Sequence, residues 1–176
     1  IPHVLSAHSL EPLRPWKAEQ LGGGYAVSSY AEKTAYLGAS GVIAVSGGMR
    51  NDILRSYPEV DPDRVHVVHN GIDTSGWVRD TSEQARRVLE DQGIDPDRPT
   101  LVFVGRITRQ KGLPYFIRAI PQLPADTQVV LCAGAPDTPE ILQEVADGVA
   151  EVSRNREGVH WLQRVLPRQE LCQVLS

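Results

Sequence analysis

Short aliphatic runs recur along this chain, and after each the apolar residues change from consecutive to helically spaced. Val42-Ile43-Ala44-Val45, Leu101-Val102-Phe103-Val104 and Val129-Val130-Leu131-Cys132-Ala133 are the clearest. His3-Val4-Leu5-Ser6-Ala7, Val65-His66-Val67-Val68 and Val159-His160-Trp161-Leu162 follow the same plan. A run that is apolar at nearly every position can bury both faces, as a strand of a parallel sheet must. Helical patterns separate the runs. One extends from Tyr25 to Leu37 and stops at Gly38; one starts at the N-cap Ser46 and carries Met49, Ile53 and Leu54; one starts at Thr81 or Ser82 and carries Ala85, Val88 and Leu89. Another starts at Thr138, has Pro139 at its first position, and carries Ile141, Leu142, Val145, Ala146, Val149 and Val152. Alternation of this kind restricts the chain to α/β layers, with parallel sheet covered by helices on both faces. Ser75 to Asp80 reads as a linker. Two incomplete halves are therefore expected, residues 1–78 and 79–176, with the break between Asp73 and Thr81.

The connecting segments are read from turn chemistry. Glu11-Pro12-Leu13-Arg14-Pro15-Trp16-Lys17 and the triplet Gly22-Gly23-Gly24 predict a long loop. Trp16 and Tyr25 within it are read as packing anchors, with stacking on a sugar as the alternative. Asp61-Pro62-Asp63-Arg64 and Asp95-Pro96-Asp97-Arg98 each stand just before a strand and are read as turns, not as an Asp-x-Asp metal motif. His66 and His69 would diverge across a strand end, so no zinc site is expected of them.

Composition narrows the classes of function. With a net charge of −4 over 176 residues, nothing argues for nucleic acid or an anionic membrane as partner. No apolar run approaches membrane-spanning length. Cys132 and Cys172 lie in apolar segments without metal spacing, and free thiols in a reducing cytoplasm are expected. The chain opens on Ile1-Pro2, has Met49 as its only methionine and ends in a helix-like run, so an internal piece of a longer protein is expected.

Chemistry concentrates at Gly105-Arg106-Ile107-Thr108-Arg109-Gln110-Lys111-Gly112. A strand ends, the chain turns on Gly105, and a helix begins after Gly112 with Pro114 in its first turn. Ligands of open α/β sheets bind outside the carboxyl ends of strands. Main-chain amides there, with Arg106 and Lys111, suit a pair of linked phosphates. The alternative is a surface turn with solvated basic residues. The stretch is not a Walker A loop, since Lys111 precedes Gly112 and Leu113 stands where a hydroxyl is needed. Nor does Gly-x-Gly-x-x-Gly follow any strand, which argues against a dinucleotide-dependent oxidoreductase. No Gly-x-Ser-x-Gly and no paired carboxylates for acid–base hydrolysis are present. His8 ends a strand and begins the glycine-containing loop, where a ligand could reach it. A structural role is the alternative for a lone histidine there.

These residues resemble a known family. His8-Ser9-Leu10-Glu11-Pro12-Leu13-Arg14-Pro15-Trp16-Lys17, with Glu19-Gln20-Leu21-Gly22-Gly23-Gly24-Tyr25, is similar to the signature of actinobacterial-type glycogen synthases, retaining glycosyltransferases of the family 4 type. Val68-His69-Asn70-Gly71-Ile72-Asp73 resembles that family's linker, and Val104 to Gly112 its diphosphate loop. The resemblance implies a GT-B enzyme, built of two Rossmann-like parallel-sheet domains, of which this chain holds parts of both. It implies a cytoplasmic hexosyltransferase that moves glucose from ADP-glucose or UDP-glucose to an alpha-1,4-glucan in glycogen synthesis. The second reading keeps the donor and takes glucose 1-phosphate as acceptor, giving maltose 1-phosphate. A reading from another class is a non-catalytic nucleotide-sugar-binding module. The resemblance also implies no metal and no cofactor. His8, Arg106 and Lys111 would be catalytic; Gly105, Arg106 and Lys111 would hold the diphosphate; and Val165 and Leu166 would lie against the base. A glycine-rich loop upstream and a Glu-x7-Glu motif downstream, absent from this stretch, would complete the site, so this stretch alone is expected to be inactive.

Overall fold

A computed structural model describes residues 2–176. The chain forms two compact units, the second of which runs from Asp73 to Ser176.

In the first unit β1 (Val4–Ala7), β2 (Gly41–Ala44) and β3 (Val65–Val67) form a parallel sheet in that order. The central strand is the best buried, with Val42 and Ala44 fully enclosed. Two helices precede β2, α1 (Lys17–Leu21) and α2 (Gly24–Gly38), and α3 (Gly47–Ser56) follows it. Tyr36 of α2 stacks on Tyr57, which follows α3, with ring centroids 4.8 Å apart, and both join Val42, Ile53 and Val65 in one core. Burial, with the nearby Glu32 carboxylate, pushes the Tyr36 phenol up to about 12. Ser46 caps α3, its Oγ accepting from Met49 N at 3.0 Å. Ser46→Ala should therefore cost about 1 kcal/mol of stability, read as a lower urea midpoint at unchanged slope.

The second unit carries β4 (Thr100–Arg106), β5 (Gln128–Gly134) and β6 (Val159–Leu162), again parallel and in that order. Its helices are α4 (Glu83–Glu90), α5 (Leu113–Ala119), α6 (Pro139–Asn155) and α7 (Arg168–Val174). Along β5 the side chains alternate between two cores. Val129, Leu131 and Ala133 meet α5 and α6 through Ile117, Ile141 and Val145. Val130 and Cys132 meet Ile94, Leu89, Leu171 and Val174. Both faces of a strand buried against helices is the arrangement the continuous apolar run requires. Ser82 and Thr138 cap α4 and α6, with their side chains accepting from Ala85 N and Ile141 N. Both cysteines are free thiols. Among the described residues no helix is long and apolar enough to cross a membrane.

Three expectations need correction. Residues 11–24 are not one loop but a 3-10 turn, Glu11–Leu13, followed by α1. Pro12 fits the first turn, and a buried Glu11 carboxylate bonded to Lys17 at 2.5 Å draws the two pieces together. Leu101 to Val104 is not a buried strand throughout. Within these 176 residues it pairs on one side only, with β5, and Val104 is 47% exposed. The units divide after Ile72, where the sequence reading divided them after residue 78. The reason is that residues 73–80 belong to the second unit's packing. Trp77 lies under the Arg168 guanidinium, 5.3 Å from its ring centroid; Asp80 N donates to Ser176 Oγ at 2.8 Å; and Gly76 O accepts from Cys172 Sγ at 3.5 Å.

Candidate active site

In the second unit β4 stays in register with β5 to its last residue, Arg106 opposite Gly134. Ile107 then turns inward and is buried. Its N–H donates to Gly134 O at 3.0 Å, and its carbonyl accepts from Asp137 N at 3.1 Å. The loop after β4 is thus laced to the loop after β5. Thr108, also buried, accepts from Lys111 N at 3.3 Å and caps a 3-10 turn, Arg109–Lys111. Gly112 follows at φ 68, in the left-handed region that favours glycine, and α5 begins at Leu113, fully buried. Ile107 and Leu113 act as pegs on either side of the loop, so Arg109, Gln110 and Lys111 are held outward. With α5 only seven residues long, its dipole is weak beside the side-chain charges.

Lys111 returns over the strand end. Its Cδ lies 3.8 Å from where a Cβ on Gly105 would stand. Gly105, Arg106 and Lys111 therefore form one cationic patch. Arg106 is mostly exposed and donates from Nη2 to Asp137 Oδ1 at 2.5 Å. Arg109 turns aside to Glu144 on α6, at 3.4 Å. Asp137 was not singled out from sequence. It is the carboxylate of the loop after β5, and only the β4–β5 pairing reveals what it faces.

Beside the patch lies a cavity of about 220 Å³. Val104, Gly105 and Arg106 form one wall, Cys132, Gly134 and Ala135 the floor, and Arg164, Val165 and Leu166 the far wall. Val165 is 83% exposed, while Leu166 is half-buried. The structure thus brings Gly105, Arg106, Val165 and Leu166 to one recess, with Lys111 at the adjoining strand end. Glu170 fixes the far wall through an ion pair with Arg164 and by accepting from Gln92 Nε2 at 3.1 Å. The Arg164 and Gln92 donors hold the Glu170 carboxyl below its ordinary range. Gly134 decides how close that wall can come. A Cβ there would stand 2.7 Å from the Gln163 carbonyl oxygen, which is main chain and cannot swing aside. Gly134→Ala should push residues 163–166 outward. In the full-length protein the expected result is about tenfold weaker binding of the ligand that this recess takes, read by ligand titration.

A larger recess, about 620 Å³, opens between α5 and α6, near the amino ends of the strands. Two of its three guanidiniums are spent on the main chain, and the third, that of Arg118, lies 4.6 Å from the Tyr115 ring centroid and 4.0 Å from Glu144. Arg98 donates to the carbonyls of Asp126 and Ala125, and Arg156 to those of Leu123, Pro124 and Thr127.

In the first unit Ala7 is buried and pairs with Ala44, so His8 is the first residue beyond the carboxyl end of β1. Its side chain is exposed, with Nε2 3.2 Å from Ser6 Oγ. Ser9 Oγ accepts from Arg14 Nη1 at 2.8 Å, and Leu10 is buried. Tyr25 serves as an anchor, donating to Glu11 O at 2.8 Å. His66 and His69 are both exposed.

Each of the two parallel α/β units thus carries a candidate residue at the carboxyl end of its first strand. Comparison with known proteins gives relatives for both. Residues 1–75 match the model of Glycosyltransferase Family 4, and residues 98–176 that of Glycosyl transferases group 1. The alpha-maltose-1-phosphate synthase of Mycolicibacterium smegmatis is 56% identical over the whole chain, and that of Mycobacterium tuberculosis is 57% identical. The chain covers 46% of each, so it spans about half the length of these relatives. Among solved structures, Anabaena HepE in complex with UDP and glucose superposes with a TM-score of 0.73 at 17% identity, over 99% of this chain and 44% of that one. The sucrose-phosphate synthase of Thermosynechococcus elongatus gives 0.70 at 19% identity, over 97% of this chain and 41% of that one. The fold is that of GT-B glycosyltransferases. The chain is similar to Glycosyltransferase Family 4 in its first part and to Glycosyl transferases group 1 in its second, with relatives named as alpha-maltose-1-phosphate synthases.

Proposed function

We propose that this chain is part of a retaining hexosyltransferase that moves glucose from ADP-glucose or UDP-glucose to glucose 1-phosphate, making maltose 1-phosphate. The observation that carries this is the identity of more than half, sustained over all 176 residues, to proteins named for that product. It favours the acceptor that the sequence reading placed second to an alpha-1,4-glucan. The glucan remains the second reading, supported by the signature from His8 to Tyr25.

The chemistry follows from the patch. Breaking the bond between the anomeric carbon and the diphosphate leaves growing negative charge on the departing oxygen. Arg106 bridges phosphate oxygens with its fork, and Lys111 adds a compact charge. Together they supply the counter-charge that a metal ion provides in other transferases. Val165 and Leu166 flank the base. His8 hydrogen-bonds the donor sugar near the reacting carbon.

The test is product analysis on the full-length protein with each donor and each acceptor. Maltose 1-phosphate formed from glucose 1-phosphate supports the proposal. Elongation of glucan alone would transfer the assignment to the second reading. Binding of nucleotide sugar without transfer to either acceptor would make it a binding module.

A further inference from the structure

Glu11 is the only buried carboxylate among the described residues, 4% exposed. A buried charge persists only where partners compensate its lost hydration. Here Lys17 Nζ donates to its Oε1 at 2.5 Å, Ser28 Oγ donates to the same oxygen at 3.1 Å, and Arg14 Nη1 stands 3.9 Å away. Burial opposes the charge, yet these donors outweigh it and hold the carboxyl below its ordinary range. The main chain of Glu11 is gripped as well. Its N–H donates to Glu32 Oε1 at 2.8 Å, its carbonyl accepts from Tyr25 OH, and Glu32 is itself bonded to Tyr57 OH at 2.5 Å.

This network is heavier than a surface turn needs. An apolar side chain in place of a buried ion pair often costs nothing in stability. What the ionic arrangement adds is direction. Arg14, held beside Glu11, extends Nη1 to Ser9 Oγ, and Ser9 is the neighbour of His8. Glu11 Oε2 and Arg14 Nε remain buried without a partner, so the pair accepts unsatisfied atoms to keep that direction.

We propose that Glu11 is a positioning residue for His8: through Arg14 and Ser9 it sets the loop after β1 so that the imidazole meets the donor sugar. This rests on the function proposed above. The test uses the full-length protein with Glu11→Gln, His8→Ala and the double variant, measuring kcat, donor KM and nucleoside diphosphate affinity. Glu11→Gln should lower kcat by about tenfold and leave diphosphate affinity within about twofold. In the His8→Ala background the same change should cost less than about twofold, because its effect passes through His8. An equal loss in both backgrounds overturns the proposal while leaving the function intact. Unchanged turnover in His8→Ala removes His8 from the site, and the role of Glu11 with it. Ser9→Ala cuts the last link without touching the buried charge. It should lower kcat by about threefold; unchanged kcat in Ser9→Ala overturns the proposal even where Glu11→Gln fails to fold.

Discussion

Lys111→Ala and Arg106→Ala are each expected to lower turnover of the full-length protein by about 10²–10³, or roughly 3–4 kcal/mol of transition-state stabilisation. Under the proposed function both charges act on a leaving group that becomes more negative as its bond lengthens, so they favour the transition state over the bound donor. The two variants should differ in donor binding. Arg106 is paired with Asp137 at 2.5 Å, and its removal leaves that carboxylate facing the diphosphate. Lys111 has no carboxylate partner among the described residues, and its loss leaves no opposing charge behind. Donor KM should therefore rise further in Arg106→Ala than in Lys111→Ala. Arg106→Lys should recover only part of the turnover, because the fork is lost. Added Mg²⁺ should restore neither variant, since Asp137 is one carboxylate where a metal needs several oxygens. Steady-state transfer from both donors, with and without Mg²⁺, measures all of this. Near-wild-type turnover in Lys111→Ala would remove the loop from the reaction.

His8→Ala is expected to lower turnover by about 10²-fold while nucleotide affinity stays within a few-fold. Under the proposed function the partner of His8 is the sugar, while Arg106, Lys111, Val165 and Leu166 are assigned to the nucleotide. Among the described residues its ring is hydrogen-bonded only to Ser6 Oγ, at 3.2 Å, and it is otherwise exposed, so removing it empties no core. A fall in turnover would then report chemistry and not unfolding. The measurement is kcat against the dissociation constant of ADP or UDP. Equal turnover would leave His8 as a structural residue.

What was legible in the sequence was what short spacing determines. Ser46, Ser82 and Thr138 cap helices within three residues of themselves, and each cap stands where the pattern put it. The loop from Ile107 to Gly112 was legible for the same reason, since Ile107, Thr108, Gly112 and Pro114 shape it locally, but the turn expected on Gly105 comes later, because Gly105 and Arg106 still pair with Ala133 and Gly134 in β4. What escaped depends on partners far along the chain. The Asp137 that holds Arg106 is 31 residues away, and it comes near only because β5 pairs with β4. The turn at Glu11 looked like a proline-broken loop because its order comes from Glu32 and Tyr25.

The attachment of residues 73–80 to the last helix sets where the polypeptide can be parted. A cut after residue 78 would take Gly76 and Trp77 away from Cys172 and Arg168, and would fray the end of α7. A cut after Ile72 severs none of those contacts. The Arg168 guanidinium occupies the place a Cβ on Gly76 would take, so a side chain there would displace the flexible end of Arg168 from Trp77. Any enlargement at Gly76 therefore loosens the contact between residues 73–80 and α7, and limited proteolysis would register it as newly cleavable chain in either segment.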